Sequence, residues 1–112
     1  METTRQNKIA RLIQKDLGMI FQMQSRNLFG GAMITVTKVN VAKDLSVARI
    51  YLSIFGVKDK ESLLEEIRVH TKMIRRELGI REHNQLRIIP KLHFFLDDSL
   101  DYIENIDHLL HS

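Results

Sequence analysis

The side chains of this 112-residue sequence that could do acid–base or metal chemistry are few, and their spacing is against them. Asp97 and Asp98 form a carboxylate pair, but neighbours in extended chain point apart, and acid–base catalysis needs groups that converge on one substrate. The pair precedes a helical pattern, so capping the first helical turn is its expected role. His108 and His111 share a helical face without further ligands in evident reach, so a solvated helix end is expected there rather than a metal site. His93 alternates with the apolar residues of its segment and is expected at the surface. The serines, at 25, 46, 53, 62, 99 and 112, lie in no nucleophile-elbow context, and no glycine-rich phosphate loop is present. The absence of cysteine removes disulfides, thiolate metal sites and thiol nucleophiles. No catalytic residue, metal ligand or cofactor is expected, and the chain reads as a binding protein rather than an enzyme.

Charge is more informative. The formal net charge of +3 averages two unlike parts: residues 1–96 carry 17 basic and 9 acidic side chains, and residues 97–112 carry five acids and no Lys or Arg. Within the basic part, Arg68, Lys72, Arg75, Arg76, Arg81, Arg87 and Lys91 face only Glu77 and Glu82 in the same stretch. Arg5, Lys8, Arg11 and Lys15 fall within a narrow arc of a helical projection. Clusters of this kind neutralise phosphates and give salt-sensitive binding, so these eleven residues are the candidate nucleic-acid-binding set. Aromatic content is 6%, and no exposed stacking platform is legible; contact through phosphates and shape is expected instead of base stacking.

The elements that must carry these residues follow from periodicity. Residues 4–24 read as an amphipathic helix, with Ile9, Leu12, Ile13, Leu17, Ile20 and Phe21 as its apolar stripe and Thr3 or Thr4 as N-cap. It must end before Gly30-Gly31, expected to be a flexible joint. Residues 33–41 and 46–54 read as a hairpin turning at Asp44, the second strand placing Ala48, Ile50, Leu52 and Ile54 on one face and Arg49, Tyr51 and Ser53 on the other. Residues 59–83 are helical but interrupted, with a bend expected near His70–Lys72. Residues 86–96 read as a third strand, with Leu86, Ile88, Leu92, Phe94 and Leu96 on one face and Pro90 marking an edge or bulge. A last helix is expected over 99–110, through Leu100, Ile103, Ile106, Leu109 and Leu110. The order implies a single α+β domain, helices on one face of a small sheet. The polar start METTRQNK and the lack of any apolar run near ~18 residues point to a cytoplasmic chain with no membrane partner.

Several stretches carry a family resemblance. LRIIPKLHFFLDDSL at 86–100 is similar to the signature of ribosome-binding factor A, a family of bacterial small-subunit assembly factors: an arginine, an apolar pair, proline, an apolar strand, then Asp-x-Ser. TVTKVNVAKDLSVARIYLS at 35–53 resembles that family's hairpin, with its Asp-Leu turn, small residue at Ala48 and tyrosine-bearing strand. MIRRELG at 73–79 is similar to its isoleucine–arginine helix, and Arg5 with the stripe that follows resembles its first helix. The resemblance implies a KH-like type II fold (α-β-β-α-α-β) with a kinked helix pair replacing the Gly-x-x-Gly loop, plus a short C-terminal helix. The glycines here, at 18, 30, 31, 56 and 79, form no Gly-x-x-Gly. Where the family has Ala-x-Gly at the kink, this chain has His70, Thr71 and Lys72, a departure in the junction itself.

The resemblance further implies a monomeric, non-catalytic factor without cofactor that binds the free or immature small ribosomal subunit through its ribosomal RNA. It implies action near the decoding region, late maturation including 5′-end processing of the precursor, and growth in the cold. Two other readings stay open on the residues alone. One is a general single-stranded RNA-binding KH-like module; the other is a protein-interaction domain working through its acidic last helix.

Overall fold

The computed structural model describes residues 3–97. The expected helix over 99–110, with His108, His111 and most of the acidic segment, lies outside the described residues. The order is α1 (Thr4–Leu28), β1 (Met33–Val41), β2 (Val47–Phe55), α2 (Lys60–Val69), α3 (Thr71–Glu82) and β3 (Lys91–Leu96). The described residues form an α+β fold of three helices and a three-stranded sheet.

Helix α1 starts at a capping box. The Thr3 hydroxyl accepts from the Gln6 amide (3.1 Å), and the Gln6 side-chain oxygen accepts from the Thr3 N–H (2.8 Å), satisfying two donors that would otherwise face the helix start unpaired. The Gln6 amide nitrogen then donates to the Val41 carbonyl at 2.9 Å, so one buried side chain both starts the helix and ties it to β1. Gln14 repeats the tie at the Val36 carbonyl, 3.0 Å away. The helix runs four residues beyond the expected end at 24 and stops at Leu28. Gly30 and Gly31 set the stop: both have positive φ, which lets the Gly31 N–H turn back to the Ser25 carbonyl (2.9 Å). The expected flexible joint is a built helix end.

The sheet order is β1-β2-β3, with β1 and β2 antiparallel and β2 and β3 parallel. Asp44 shapes the hairpin by accepting from both the N–H and the hydroxyl of Ser46, while Leu45 takes φ +63°. Those bonds hold the Asp44 carboxyl below its ordinary pKa. Alternation sorts the strands as expected: Ile34, Val36, Val39, Val41, Ala48, Ile50, Leu52, Ile54, Leu92 and Phe94 are buried beneath the helices. A bulge between Val36 and Lys38 adds one residue to β1 and restores the alternation beyond it. Phe21 of α1 anchors the core edge-on against Phe94, with ring centres 5.9 Å apart.

The helical stretch 60–82 breaks at a single residue, His70, within the expected window. Its ring nitrogen Nδ1 lies 2.8 Å from the Glu66 carbonyl, and the Thr71 hydroxyl donates to the Arg68 carbonyl at 2.7 Å. Side chains thus occupy carbonyls at the end of α2, and the chain restarts as α3. The imidazole also packs edge-on against Phe29, fixing the bend against the end of α1.

The third strand is shorter than its apolar pattern. It begins at Lys91, not at 86, and Ile88 is 78% exposed rather than sharing a face with Leu92 and Phe94. Pro90 has no N–H to give a ladder, and the Arg75 guanidinium takes the carbonyls of Ile89 (2.7 Å) and Pro90 (3.1 Å). Pairing opens only after them, where Lys91 N–H reaches the Ser46 carbonyl at 2.9 Å. Pro90 therefore stands at the mouth of an edge strand.

Candidate nucleic-acid interface

Of the eleven basic residues expected to meet RNA, the structure separates the solvated from the engaged. On α1, Arg5, Lys8, Arg11 and Lys15 are all exposed, because the apolar stripe that buries Ile9, Ile13 and Leu17 turns them outward. Arg5 and Lys8 line a cleft of about 260 Å³ with Leu12, Gln85 and Leu86. Lys15 lines a separate open groove of about 710 Å³ between α1 and β1, in company with Arg26. Lys72 and Arg76 are exposed on α3, and Arg87 is exposed in the connection to β3. Lys91 is exposed at the start of β3.

Three of the set have partners inside the fold. Arg68 donates to Glu65 (2.7 Å) and to the Phe94 carbonyl (2.7 Å), bracing α2 against β3. Arg75 holds the Ile89–Pro90 carbonyls. Arg81 lies across the exposed methionines of α1, with its Nη2 3.0 Å from the Met23 sulfur. Each of the three arginines has at least one contact to a distant segment, so charge counting in one stretch could not separate them from their solvated neighbours.

Sequence reasoning also missed a surface. The outer side of the sheet carries Tyr51 and Phe95 as a stacked pair, with centroids 5.6 Å apart and planes 29° from parallel. Phe95 is 37% exposed, and the Lys38 ammonium stands 6.0 Å from the centre of the Tyr51 ring. The low aromatic content gave no reason to expect a stacking platform, and the pair places two partly exposed rings side by side on this face. Alternation in β2 turns Tyr51 away from the core. The register that sets Phe95 beside it comes from a parallel pairing between segments far apart in sequence.

Of the groups considered for catalysis, His93 is exposed on this same outer side. Asp97 accepts from the Thr37 hydroxyl at 2.6 Å, a bond across the sheet. The most perturbed acid among the described residues is Glu82, at the end of α3, fully buried beside the Asp16 carboxyl of α1. Burial, then the nearby Asp16 carboxylate, and then the hydrogen bond a protonated Glu82 shares with Asp16 push its pKa up to about 8. Glu82 lines neither of the clefts bordered by basic residues of α1, and its place is in the packing of α3 on α1. Among the described residues, no three His, Asp or Glu side chains converge to hold a metal. Nor is any described helix long and apolar enough to cross a membrane.

Fold and surface together define a small α+β binding domain with cations distributed over its helical side. The chain belongs to the ribosome-binding factor A family, whose sequence model it matches over residues 5–110. It is 50% identical over 110 residues to ribosome-binding factor A of Cytophaga hutchinsonii, a match spanning 98% of this chain and 83% of that one. It is also 50% identical over 111 residues to the Flavobacterium johnsoniae protein of the same name, covering 98% and 85% of the two chains. The crystal structure of ribosome-binding factor A from Thermus thermophilus superposes with a TM-score of 0.69 at 21% identity, covering 81% of this chain and 94% of that one. A homology model of the Thermus thermophilus factor, fitted into the cryo-EM map of its complex with the 30S subunit, gives a TM-score of 0.63 at 23% identity, covering 80% and 91%.

Proposed function

We propose that this protein binds the free or immature small ribosomal subunit through its ribosomal RNA and promotes late maturation, including 5′-end processing of the precursor. The observation that carries this reading is 50% identity, over 98% of the chain, to a protein named for ribosome binding. The Thermus thermophilus relative described in complex with the 30S subunit supports the choice of subunit. The exposed cations of α1 and α3 supply the phosphate contacts such binding needs.

In this reading the chain is one KH-like type II domain, monomeric, cytoplasmic and active in the cold. The bend at His70 stands where a Gly-x-x-Gly loop would be. The protein is not an enzyme and uses no cofactor. It acts by differential binding, shifting the RNA toward the arrangement it prefers by as much free energy as it prefers it. A general single-stranded RNA module would bind short unstructured oligonucleotides as tightly as it binds subunits. An assembly factor binds the subunit more tightly, and equal affinities in a direct competition would refute the proposal.

A further inference from the structure

The three strands contain no Asp or Glu, and all three of their Lys and Arg residues, Lys38, Arg49 and Lys91, lie on the face turned away from the helices. The register arranges that face in rows. Lys38, Tyr51 and Phe95 stand side by side across the three strands. The next outward row is Asn40, Arg49 and His93, and beyond it Val47 pairs with Lys91. A cation flanking two stacked rings, followed by a guanidinium and an imidazole, gives successive rows about 6.8 Å apart along the strands.

We propose that this outer sheet face is a separate RNA-contacting surface, which takes unpaired bases of single-stranded RNA on the Tyr51–Phe95 pair and the adjoining phosphates on Lys38, Arg49 and Lys91. The inference rests on the RNA-binding reading above and adds a second contact region to it. Charge complementarity selects the occupant: three exposed cations against one described carboxylate, Asp97, which accepts from the Thr37 hydroxyl just past the end of β3, suit a polyanion. The rings select its form, because a base inside a duplex has no free face to stack, whereas an unpaired one does. Arg49 and His93 have planar groups that can lie on a further base; Lys38 cannot stack and supplies charge alone. The arrangement favours stacking over edge recognition, so the face tolerates sequence variation.

The full chain is titrated with a fluorescent unstructured oligoadenylate and, in parallel, with free small subunits. Tyr51→Leu with Phe95→Leu keeps apolar area but removes the π faces, and is expected to weaken oligonucleotide binding about tenfold. Lys38→Glu with Arg49→Glu changes only side chains on the outer face, guards against a folding defect in the aromatic variant, and is expected to weaken binding at least as much and flatten its salt dependence. Ultraviolet crosslinks to the oligonucleotide are expected on peptides containing Tyr51 or Phe95. Wild-type affinity in both variants, or a wild-type protein that takes no oligonucleotide, overturns the proposal. So does a face found crosslinked to residues 98–112 and not released by RNA. If wild-type protein fails to bind subunits, the assembly-factor reading falls and the oligonucleotide arm still decides this surface. If it binds subunits while both variants match it in both arms, only the outer face is refuted.

Discussion

Arg75 and Arg76 are neighbours in α3 with opposite surroundings: Arg75 is half-buried with its guanidinium on the carbonyls of Ile89 and Pro90, and Arg76 is exposed. One turns the chain into β3; the other is open to phosphate. Reversing both charges together would mix a folding defect with a binding defect. Arg75→Ala is expected to lower unfolding stability by about 2 kcal/mol, the scale of charged hydrogen bonds lost at a partly buried site. Lys72→Glu with Arg76→Glu should leave the melting temperature close to wild type and weaken subunit binding about tenfold. Thermal melts alongside binding titrations separate the two effects.

Glu82 makes stability depend on pH in an unusual direction for an acid. Its folded pKa, raised to about 8 from an ordinary 4.5, means that the folded state holds a proton the unfolded state releases. Its contribution to stability is therefore fully present below about 4.5 and is lost as pH rises through about 8. Glu82→Gln keeps the shape and cannot ionise. Urea denaturation at acidic, neutral and alkaline pH should show the wild type losing stability toward the alkaline end relative to Glu82→Gln, by several kcal/mol at most; parallel curves would contradict the assignment.

Gln6 joins two jobs, so its loss should exceed that of an ordinary cap. Gln6→Ala removes the bond to the Thr3 N–H and leaves the Val41 carbonyl without its side-chain donor. A loss of about 2 kcal/mol in denaturant unfolding is expected. Thr3→Ala, which leaves the Val41 tie intact, should lose about half as much.

Much of this architecture is legible in local pattern. The alternation of residues 46–54 is enough by itself to place Arg49 and Tyr51 outward, and the His70-Thr71-Lys72 run announces the helix break because its side chains compete for backbone carbonyls. Misreadings arise where a distant residue decides. Residues 86–89 have the apolar density of a strand, but Arg75 of α3 occupies the carbonyls at its end, and Ile88 is left in solvent. Segment charge likewise could not reveal that Arg68 is bound to Phe94 or that Arg81 rests on Met19 and Met23. The Tyr51–Phe95 stack is hidden for the same reason: each ring is visible in the sequence, but their neighbourhood is a product of register.

The central claim, selective binding to the small ribosomal subunit, is tested most directly by gradient sedimentation of the purified protein with separated subunits and with intact ribosomes. The protein is expected to travel with free small subunits, to be absent from intact ribosomes, and to be released as salt is raised. Equal association with both particles, or with neither, would contradict the account.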